Sequence, residues 1–297
     1  MKQVIFALLV LLANPGAVRA ETNGFQITDV AFTAVCDGTE QRYVLLLPAG
    51  FEPVQPHDVL IGLHGHGSDR WQFIRGPRDE CRAPRDVAAA HGMIFVSPDY
   101  RAKTSWMGPK AEADLAQIIG ELKKKWRVSR VFLCGGSMGG MASLTFTALH
   151  PKLVDGVASM NGTANMVEYE GFPDAIAASF GGSKAAVPGE YKKRSAEFRP
   201  QRFTMPVGIT ASGQDTVVPP QSVMRLAKAL KARGRDVLLI YREEMGHSTS
   251  YDDAKAIVEF IIQKARPGKA RQLLPPRTGR SAPSAGVVTL ESEKTHD

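Results

Sequence analysis

Apolar residues fall in short continuous runs along most of the chain, and turn-forming residues separate the runs. Residues 58–63 (DVLIGL) and 131–134 (VFLC) are two examples. Runs of this length, bounded in this way, are typical of strands that are buried on both faces of a sheet. The same pattern predicts strands over residues 93–96, 157–160, 205–210 and 237–241. Earlier in the chain, residues 25–35 and 41–47 flank an Asp-Gly turn and predict a β-hairpin.

Between these runs, apolar residues recur at the spacing of a helix. In residues 110–126, Leu115, Ile118, Ile119 and Leu122 lie on one helical face because they recur three or four positions apart. Further helices are predicted over residues 138–149, 221–233 and 251–264. Strands that alternate with helices favour an α/β fold, in which helices cover both faces of a mostly parallel sheet.

The two ends of the chain depart from this alternation. Residues 1–20 begin with Lys2, continue with an apolar run and end in Ala-Val-Arg-Ala, which is typical of a signal peptide cleaved after Ala20. Their apolar run is shorter than the about 20 residues that a membrane-spanning helix needs. Residues 266–297 are rich in Pro, Arg, Ser and Gly and predict a disordered tail. We therefore expect a secreted or periplasmic protein with one folded domain over residues 21–265.

Residues 162–202 interrupt the alternation of strands and helices. They contain two Gly-rich turns and scattered aromatic residues, without a clear period. Such a segment is either a cap over a pocket or a surface loop without a role in function. The cap is the favoured interpretation because loops often carry functional residues.

The net charge gives little support to a nucleic-acid partner. Of the formal charge of +7, residues 1–20 contribute two units and residues 266–297 contribute three, so the folded domain is close to neutral. A nucleic-acid-binding domain usually concentrates its basic residues in one patch. No stable insertion in a membrane is expected either, and the oligomeric state is left open.

Three cysteines are too few for a disulfide scaffold. Cys134 lies in a predicted strand, so a buried free thiol is expected there. For an exported protein, one bridge between Cys36 and Cys81 is conceivable, and the sequence leaves open whether it forms.

The strongest chemical motif is G-x-S-x-G over residues 135–139 (GGSMG). It follows a predicted strand and opens a predicted helix, so Ser137 would project its hydroxyl from a tight strand-to-helix turn. The neighbouring glycines allow a strained backbone there. The N-terminus of the helix favours the negative charge that develops during acyl transfer. Ser137 is therefore the predicted nucleophile.

A serine nucleophile needs a base and an acid that orients the base. His247 follows the strand over residues 237–241, and Asp215 follows the strand over residues 205–210. We predict that Asp215 and His247 complete a catalytic triad, since the order serine, acid, histidine is that of α/β-hydrolases. Asp155 and Asp174 are alternative acids that occur too early for this order, and His64 and His66 are alternative bases.

Residues 64–67 (HGHG) follow another predicted strand. Their glycines would let a backbone N–H point at an oxyanion, so we assign the N–H groups of His66 and Met138 as donors of the oxyanion hole. His64 would then hold the loop in place. A zinc site built on His64, His66 and Asp69 is a rival interpretation, and it is disfavoured because no second cluster of ligands follows.

Taken together, LHGHGSD, VSPDYR, CGGSMGGMASL, SGQDTVVPP and MGHS resemble the α/β-hydrolase superfamily. The nearest groups in this resemblance are secreted feruloyl and acetyl-xylan esterases, polyhydroxybutyrate depolymerase-like proteins and prolyl-oligopeptidase-like catalytic domains. The resemblance implies an eight-stranded α/β-hydrolase fold and no metal or other cofactor. It also implies that Ser137, Asp215 and His247 form the triad, and that His66 and Met138 form the oxyanion hole.

The predicted function is hydrolysis of a small or polymer-linked carboxylic ester through an acyl-enzyme. Trp71, Phe73 and Trp106 are candidates for the substrate pocket because they follow the oxyanion loop and the VSPDYR segment. A peptidase that uses the same triad on short peptides is one alternative. A hydrolase-like binding protein without catalysis is another.

Overall fold

A computed structural model of the chain describes residues 21–22 and 25–267, and one sheet runs through this described part. The strands are β1 (Glu21–Thr22), β2 (Phe25–Thr33), β3 (Glu40–Leu47), β4 (His57–Leu63), β5 (Ile94–Pro98), β6 (Val128–Gly136), β7 (Gly156–Met160), β8 (Val207–Ser212) and β9 (Val237–Arg242). The helices are α1 (Gln72–Arg75), α2 (Asp79–Ala90), α3 (Pro109–Lys125), α4 (Met138–Leu149), α5 (Pro173–Phe180), α6 (Pro188–Lys193), α7 (Gln221–Lys231) and α8 (Tyr251–Lys264).

The sheet is mostly parallel. Its strand order is β1-β2-β3-β5-β4-β6-β7-β8-β9. The pairs from β5 through β9 are parallel, whereas β1, β2 and β3 pair antiparallel at one edge. The predicted eight-stranded, mostly parallel sheet is thus confirmed, and the two-residue β1 extends its antiparallel edge.

Helices cover both faces of the sheet, as predicted. On one face, α3, α4 and α7 pack their apolar side chains in a cluster that includes Leu115, Leu144 and Leu226. On the other face, α1, α2 and α8 form a second cluster that includes Val87 and Ile257. The central strands contribute side chains to both clusters, which explains why their sequences are apolar without alternation.

Two helices of this second face, the four-residue α1 and the longer α2, were not predicted. α2 carries mostly alanines and charged residues, has Pro84 inside it and buries few large side chains. Its buried set (Cys81, Ala83, Pro84, Val87 and Ala88) does recur at helical spacing, but small residues give a weak apolar pattern.

Residues 162–202 fold into α5, α6 and two 3₁₀ turns, Ala196–Phe198 and Pro200–Arg202. Arg194 attaches this segment to the rest of the domain. Its side chain is fully buried, donates to the carbonyl oxygen of Met107 at 2.6 Å and pairs with Glu112 of α3 at 2.9 Å. The role of the segment as a cap, and the domain boundaries, stay predictions.

The predictions made for residues 1–20 and for most of the tail from residue 266 lie outside the described residues. Within the part of the chain that the structure does describe, none of the helices combines the length and the apolar character that crossing a bilayer requires.

The bridge between Cys36 and Cys81 that the sequence left open is not formed, and all three cysteines are free thiols. Cys36 lies exposed beside Arg101, whose guanidinium is 3.1 Å from its Sγ, whereas Cys81 lies in the buried face of α2. Burial raises the pKa of the Cys81 thiol to about 12 and also raises the pKa of Cys134. The thiols of Cys81 and Cys134 are therefore protected from reagents that react with thiolates.

A thiol titration without reductant checks that the three thiols are free. We expect one thiol to react rapidly in the native protein, at Cys36, and three to react after unfolding. A Cys36→Ser variant should lose only the rapid reaction. If unfolding exposed one thiol alone, the protein would contain a bridge, contrary to this expectation.

The Glu112–Arg194 pair predicts a pH-dependent stability. Burial raises the pKa of Glu112, but the hydrogen bond from His150 and the charges of Arg194 and Lys193 outweigh burial and lower this pKa to about 2. Glu112→Gln should lower the free energy of unfolding by about 3 kcal/mol at pH 7, because it leaves a buried guanidinium with one partner fewer. The difference in the free energy of unfolding between Glu112→Gln and wild type should reach its full size above about pH 4.5 and should shrink as the pH falls towards 2.

Urea unfolding at several pH values measures this difference. Glu52→Gln is the control, because Glu52 is exposed and has no ion pair among the described residues. A Glu112→Gln effect that is small, or equal at every pH, would show that the pair does not hold the segment in place.

Candidate active site

Ser137 lies in the turn between β6 and α4 and has a strained backbone, with φ +57° and ψ −119°. Its N–H donates to the carbonyl oxygen of Met160 at 2.8 Å, which ties the turn to the end of β7. A Cβ atom on Gly139 would lie 1.9 Å from the carbonyl oxygen of Leu63, so no other residue fits at that position without movement of the backbone. The glycine thus lets α4 begin directly against β4, and the turn presents the serine at the edge of the sheet.

Asp215 and His247 come together at the neighbouring strand ends. Asp215 follows β8, His247 follows β9, and the Nδ1 of His247 lies 2.7 Å from Oδ2 of Asp215. The carboxylate can only accept, so Nδ1–H of His247 is the donor and Nε2 is left without a proton in the neutral ring. This tautomer is the one that can accept a proton from a serine hydroxyl.

The Asp215 carboxylate is buried and accepts further hydrogen bonds. The backbone N–H groups of Val217 and Val218 donate to Oδ1 at 3.0 and 2.8 Å. Burial by itself raises the pKa of Asp215, but the hydrogen bonds from His247, Val218 and Asn161 outweigh burial and lower it. The side chain is therefore ionised at neutral pH and orients the histidine.

Ser137, His247 and His66 line one cavity of about 220 Å³. The side chains of Ser137 and His247 thus border the same space, and Asp215 contacts His247 from behind. The lining residues are Gly65, His66, Gln72, Phe73, Arg78, Glu80, Cys81, Gly136, Ser137, Met160, Asn161, Phe172, Val217, His247, Ser248 and Thr249.

The oxyanion loop leaves the sheet beside this cavity. Leu63 at the end of β4 pairs with Gly135 of β6, so residues 64–67 lie next to the serine turn. Oε1 of Gln72 accepts a hydrogen bond from the N–H of Gly65 at 2.7 Å and holds the loop. Among the described residues, nothing accepts a hydrogen bond from the backbone N–H of His66 or Met138. His66 lines the cavity, whereas Met138 is buried directly after Ser137, and the assignment of their N–H groups to an oxyanion hole stays a prediction.

His64 lies behind the loop and does not line the cavity. Its imidazole is buried, with Nε2 3.2 Å from the carbonyl oxygen of Asp99, and Tyr100 donates its hydroxyl to the His64 carbonyl. Burial lowers the pKa of this ring. His64 therefore helps to hold the loop, and within the residues that the structure covers, no group of three His, Cys, Asp or Glu side chains is arranged to hold a metal ion.

Of the three aromatic residues predicted for the pocket, only Phe73 lines the cavity. Trp71 lies outside it, with the guanidinium of Arg75 3.9 Å from its ring centre. Trp106 is fully buried one layer behind the cavity and contacts His66. The prediction was wrong for both tryptophans because position after a motif does not determine where a side chain points.

Asn161 is a site residue that sequence reasoning missed. It is buried at the end of β7, has φ +47° and uses all its side-chain hydrogen-bonding capacity. Nδ2 donates to Oδ2 of Asp215 at 3.2 Å and to the hydroxyl of Ser212 at 2.8 Å. Oδ1 accepts from the hydroxyls of Thr210 and Thr249 at 3.1 and 2.7 Å. Asn161 thus joins the acid to the loop that carries His247, and its position directly after a parallel strand could have indicated a role.

Replacement of Asn161 by glycine tests this role. Glycine tolerates the positive φ. The variant removes the hydrogen bond to the Asp215 carboxylate together with the bonds to the hydroxyls of Ser212, Thr210 and Thr249. Since a hydrogen bond to a charged group contributes about 1.5–3 kcal/mol, we expect kcat for an activated ester to fall about ten- to a hundredfold with little change in KM.

Asn165→Ala is the matched control, because Asn165 is equally buried but bonds to Glu168 and Glu197 instead of the site. Steady-state kinetics and thermal unfolding of both variants give the comparison. Equal losses of stability together with equal losses of kcat would mean that Asn161 acts only on the fold.

The model of the prolyl oligopeptidase family matches residues 85–265, a range that contains Ser137, Asp215 and His247. Feruloyl esterase C from Emericella nidulans is 25% identical over 126 residues, which are 41% of this chain and 46% of that protein. The similarity therefore spans less than half of the length of this relative.

Two solved structures illustrate the shared fold. The S-formylglutathione hydrolase from Agrobacterium tumefaciens has a TM-score of 0.66 at 14% identity, over 84% of this chain and 99% of that chain. The acetyl xylan esterase from Paenibacillus sp. R4 also has a TM-score of 0.66, at 16% identity, over 84% of this chain and 88% of that chain. The predicted α/β-hydrolase fold is thereby confirmed, and at such identities the similarity concerns the fold alone.

Proposed function

Since the chain belongs to the prolyl oligopeptidase family, whose members are serine hydrolases, we propose that it cleaves carboxylic esters through an acyl-enzyme on Ser137. The observation that carries this proposal is geometric. A serine on a strained strand-to-helix turn shares a cavity with a histidine whose Nδ1 lies 2.7 Å from a buried carboxylate. This combination is what activates a serine hydroxyl.

In the first half of the reaction, Nε2 of His247 accepts the hydroxyl proton of Ser137 as Oγ attacks the ester carbonyl carbon. The backbone N–H groups of His66 and Met138 donate to the oxyanion of the tetrahedral intermediate. His247 then gives the proton to the alcohol oxygen, and the C–O bond breaks. In the second half, water takes the place of the alcohol, His247 accepts its proton, and the acid leaves from Ser137.

The names of two similar proteins favour an ester over a peptide. Feruloyl esterase C and the acetyl xylan esterase are both named as esterases, and their names point to carbohydrate-linked esters. The cavity of about 220 Å³ bounds the size of the group that it encloses, because it is smaller than the roughly 300–1,000 Å³ of pockets that enclose a drug-sized ligand. A cavity of this size accommodates the group on one side of an ester bond, while a sugar or polyester chain on the other side lies at the entrance of the cavity.

Cleavage of short peptides by the same residues is the second candidate function, and it rests on the family match. A binding protein without catalysis is the third. Export, with removal of residues 1–20, belongs to the proposal as well and is supported by the sequence pattern of those residues.

Variants of the triad test the proposal. Ser137→Ala should abolish turnover of p-nitrophenyl acetate and labelling by a fluorophosphonate, since both need the hydroxyl. Asp215→Asn should lower kcat about 10⁴-fold, because the amide no longer holds His247 in the required tautomer. Asp174→Asn is the control, because Asp174 is exposed on α5 and should leave kcat unchanged.

The same purified protein is then given an ester and the amide with the same acyl group. Because an ester is intrinsically more reactive than the matching amide, turnover of the ester without measurable cleavage of the amide supports esterase function, and measurable cleavage of the amide supports the peptidase. Wild-type rates for Ser137→Ala would refute the assignment of the nucleophile. Absence of both labelling and turnover in wild type would leave the non-catalytic binding protein.

A further inference from the structure

The imidazole of His66 forms part of the cavity wall, and neighbouring side chains hold it on two sides. The indole N–H of Trp106 donates to its Nδ1 at 3.0 Å. The ring of Phe172 stacks on its face, with ring centres 4.1 Å apart. His66 and Phe172 both line the cavity, whereas Trp106 is fully buried behind them.

The contact with Trp106 determines where the His66 ring carries its proton. An indole N–H can only donate, so Nδ1 of His66 must be the acceptor and carries no hydrogen. Burial lowers the pKa of His66, which favours the neutral ring. A neutral imidazole has one N–H, and it is therefore at Nε2.

This Nε2–H has no acceptor among the described residues. Because Nδ1 is occupied by Trp106 and one ring face by Phe172, Nε2 is the polar edge of His66 that remains for a ligand. The backbone N–H of the same residue is the proposed oxyanion donor, so the side chain lies next to the place where the scissile carbonyl would bind.

The backbone around this cluster is strained in a way that points to function. Trp106, Met107 and Phe172 all have positive φ values, of 43°, 51° and 53°. Non-glycine residues rarely adopt such angles, and they tend to occur at functional sites. In addition, Phe172 keeps 37% of its surface exposed at the cavity that it lines together with His66.

We propose that the Nε2–H of His66 is a specificity-determining donor that selects esters with a second oxygen acceptor near the scissile carbonyl. That acceptor is an ether, hydroxyl or ring oxygen on the acyl or the alcohol side, as in esters of hydroxy acids or of polyols. This inference rests on the proposed esterase function and deepens it. A donor in the cavity wall discriminates between substrates because a bound ester covers it, and a CH₂ group in place of the oxygen then leaves the Nε2–H unpaired.

Two pairs of isosteric esters test the inference. p-Nitrophenyl methoxyacetate and p-nitrophenyl butyrate differ by one ether oxygen on the acyl side. 2-Methoxyethyl acetate and butyl acetate differ in the same way on the alcohol side. For each pair, the ratio of kcat/KM values in wild type is divided by the same ratio in His66→Leu, which cancels the intrinsic reactivity of the esters.

We expect this double ratio to be about ten in at least one pair, the value for loss of one hydrogen bond. His66→Gln should restore most of the preference, because its amide can accept from Trp106 and still donate to the substrate. Double ratios close to one in both pairs, with an active wild type, would overturn the role of His66 while leaving Ser137 as the nucleophile.

His66→Leu leaves the buried indole N–H of Trp106 without a partner and can therefore unfold. The double variant His66→Leu/Trp106→Phe removes both polar partners and replaces the single variant in that case. If the proposed function itself is wrong, the result is different: wild type turns over none of the four esters and is not labelled by a fluorophosphonate.

Discussion

The first turn of α4 lies against the end of β4 so closely that no side chain fits between them. Gly139 provides this approach, and two consequences follow from it. The serine turn is forced into its strained conformation at the edge of the sheet. The loop that leaves β4 is also placed beside the serine, so that His66 of the loop and Ser137 of the turn line the same cavity. The rest of the site is arranged around this one contact between two backbones.

Around that contact, hydrogen bonds between buried polar groups hold Asp215 and His247 in position. Asp215 accepts hydrogen bonds from two backbone N–H groups and from Asn161 as well as from His247. The histidine loop is connected to the same amide through Thr249. A carboxylate in such surroundings stays charged without direct access to water, because hydrogen bonds replace the solvation that burial removes. The arrangement costs little reorganisation when a proton moves to His247, and this is the condition for efficient electrostatic stabilisation.

Much of this architecture was accessible from the pattern of the sequence, and the exceptions have physical causes. Central strands such as β4 and β6 were predicted because residues buried on two faces form continuous apolar runs. The order of Ser137, Asp215 and His247 after three strands of one sheet predicted that these residues would lie at one edge of the sheet. α2 was missed because alanines pack well but give a weak apolar period. Asn161 and Phe172 were missed because their importance arises from contacts between segments that are distant in the chain. Trp106 was assigned to the pocket, although its side chain lies behind His66, which lines the cavity.

A series of contacts connects α3 to the cavity, so substitutions far from the cavity can affect the site. Glu112 pairs with Arg194, Arg194 holds the carbonyl of Met107, and Met107 follows Trp106, which touches His66. A substitution on the outside of α3 could therefore shift the imidazole at the cavity wall without altering any residue that meets a ligand. In directed evolution of this chain, libraries limited to the cavity lining would overlook these positions, whereas random libraries would recover altered preferences from residues far from the serine.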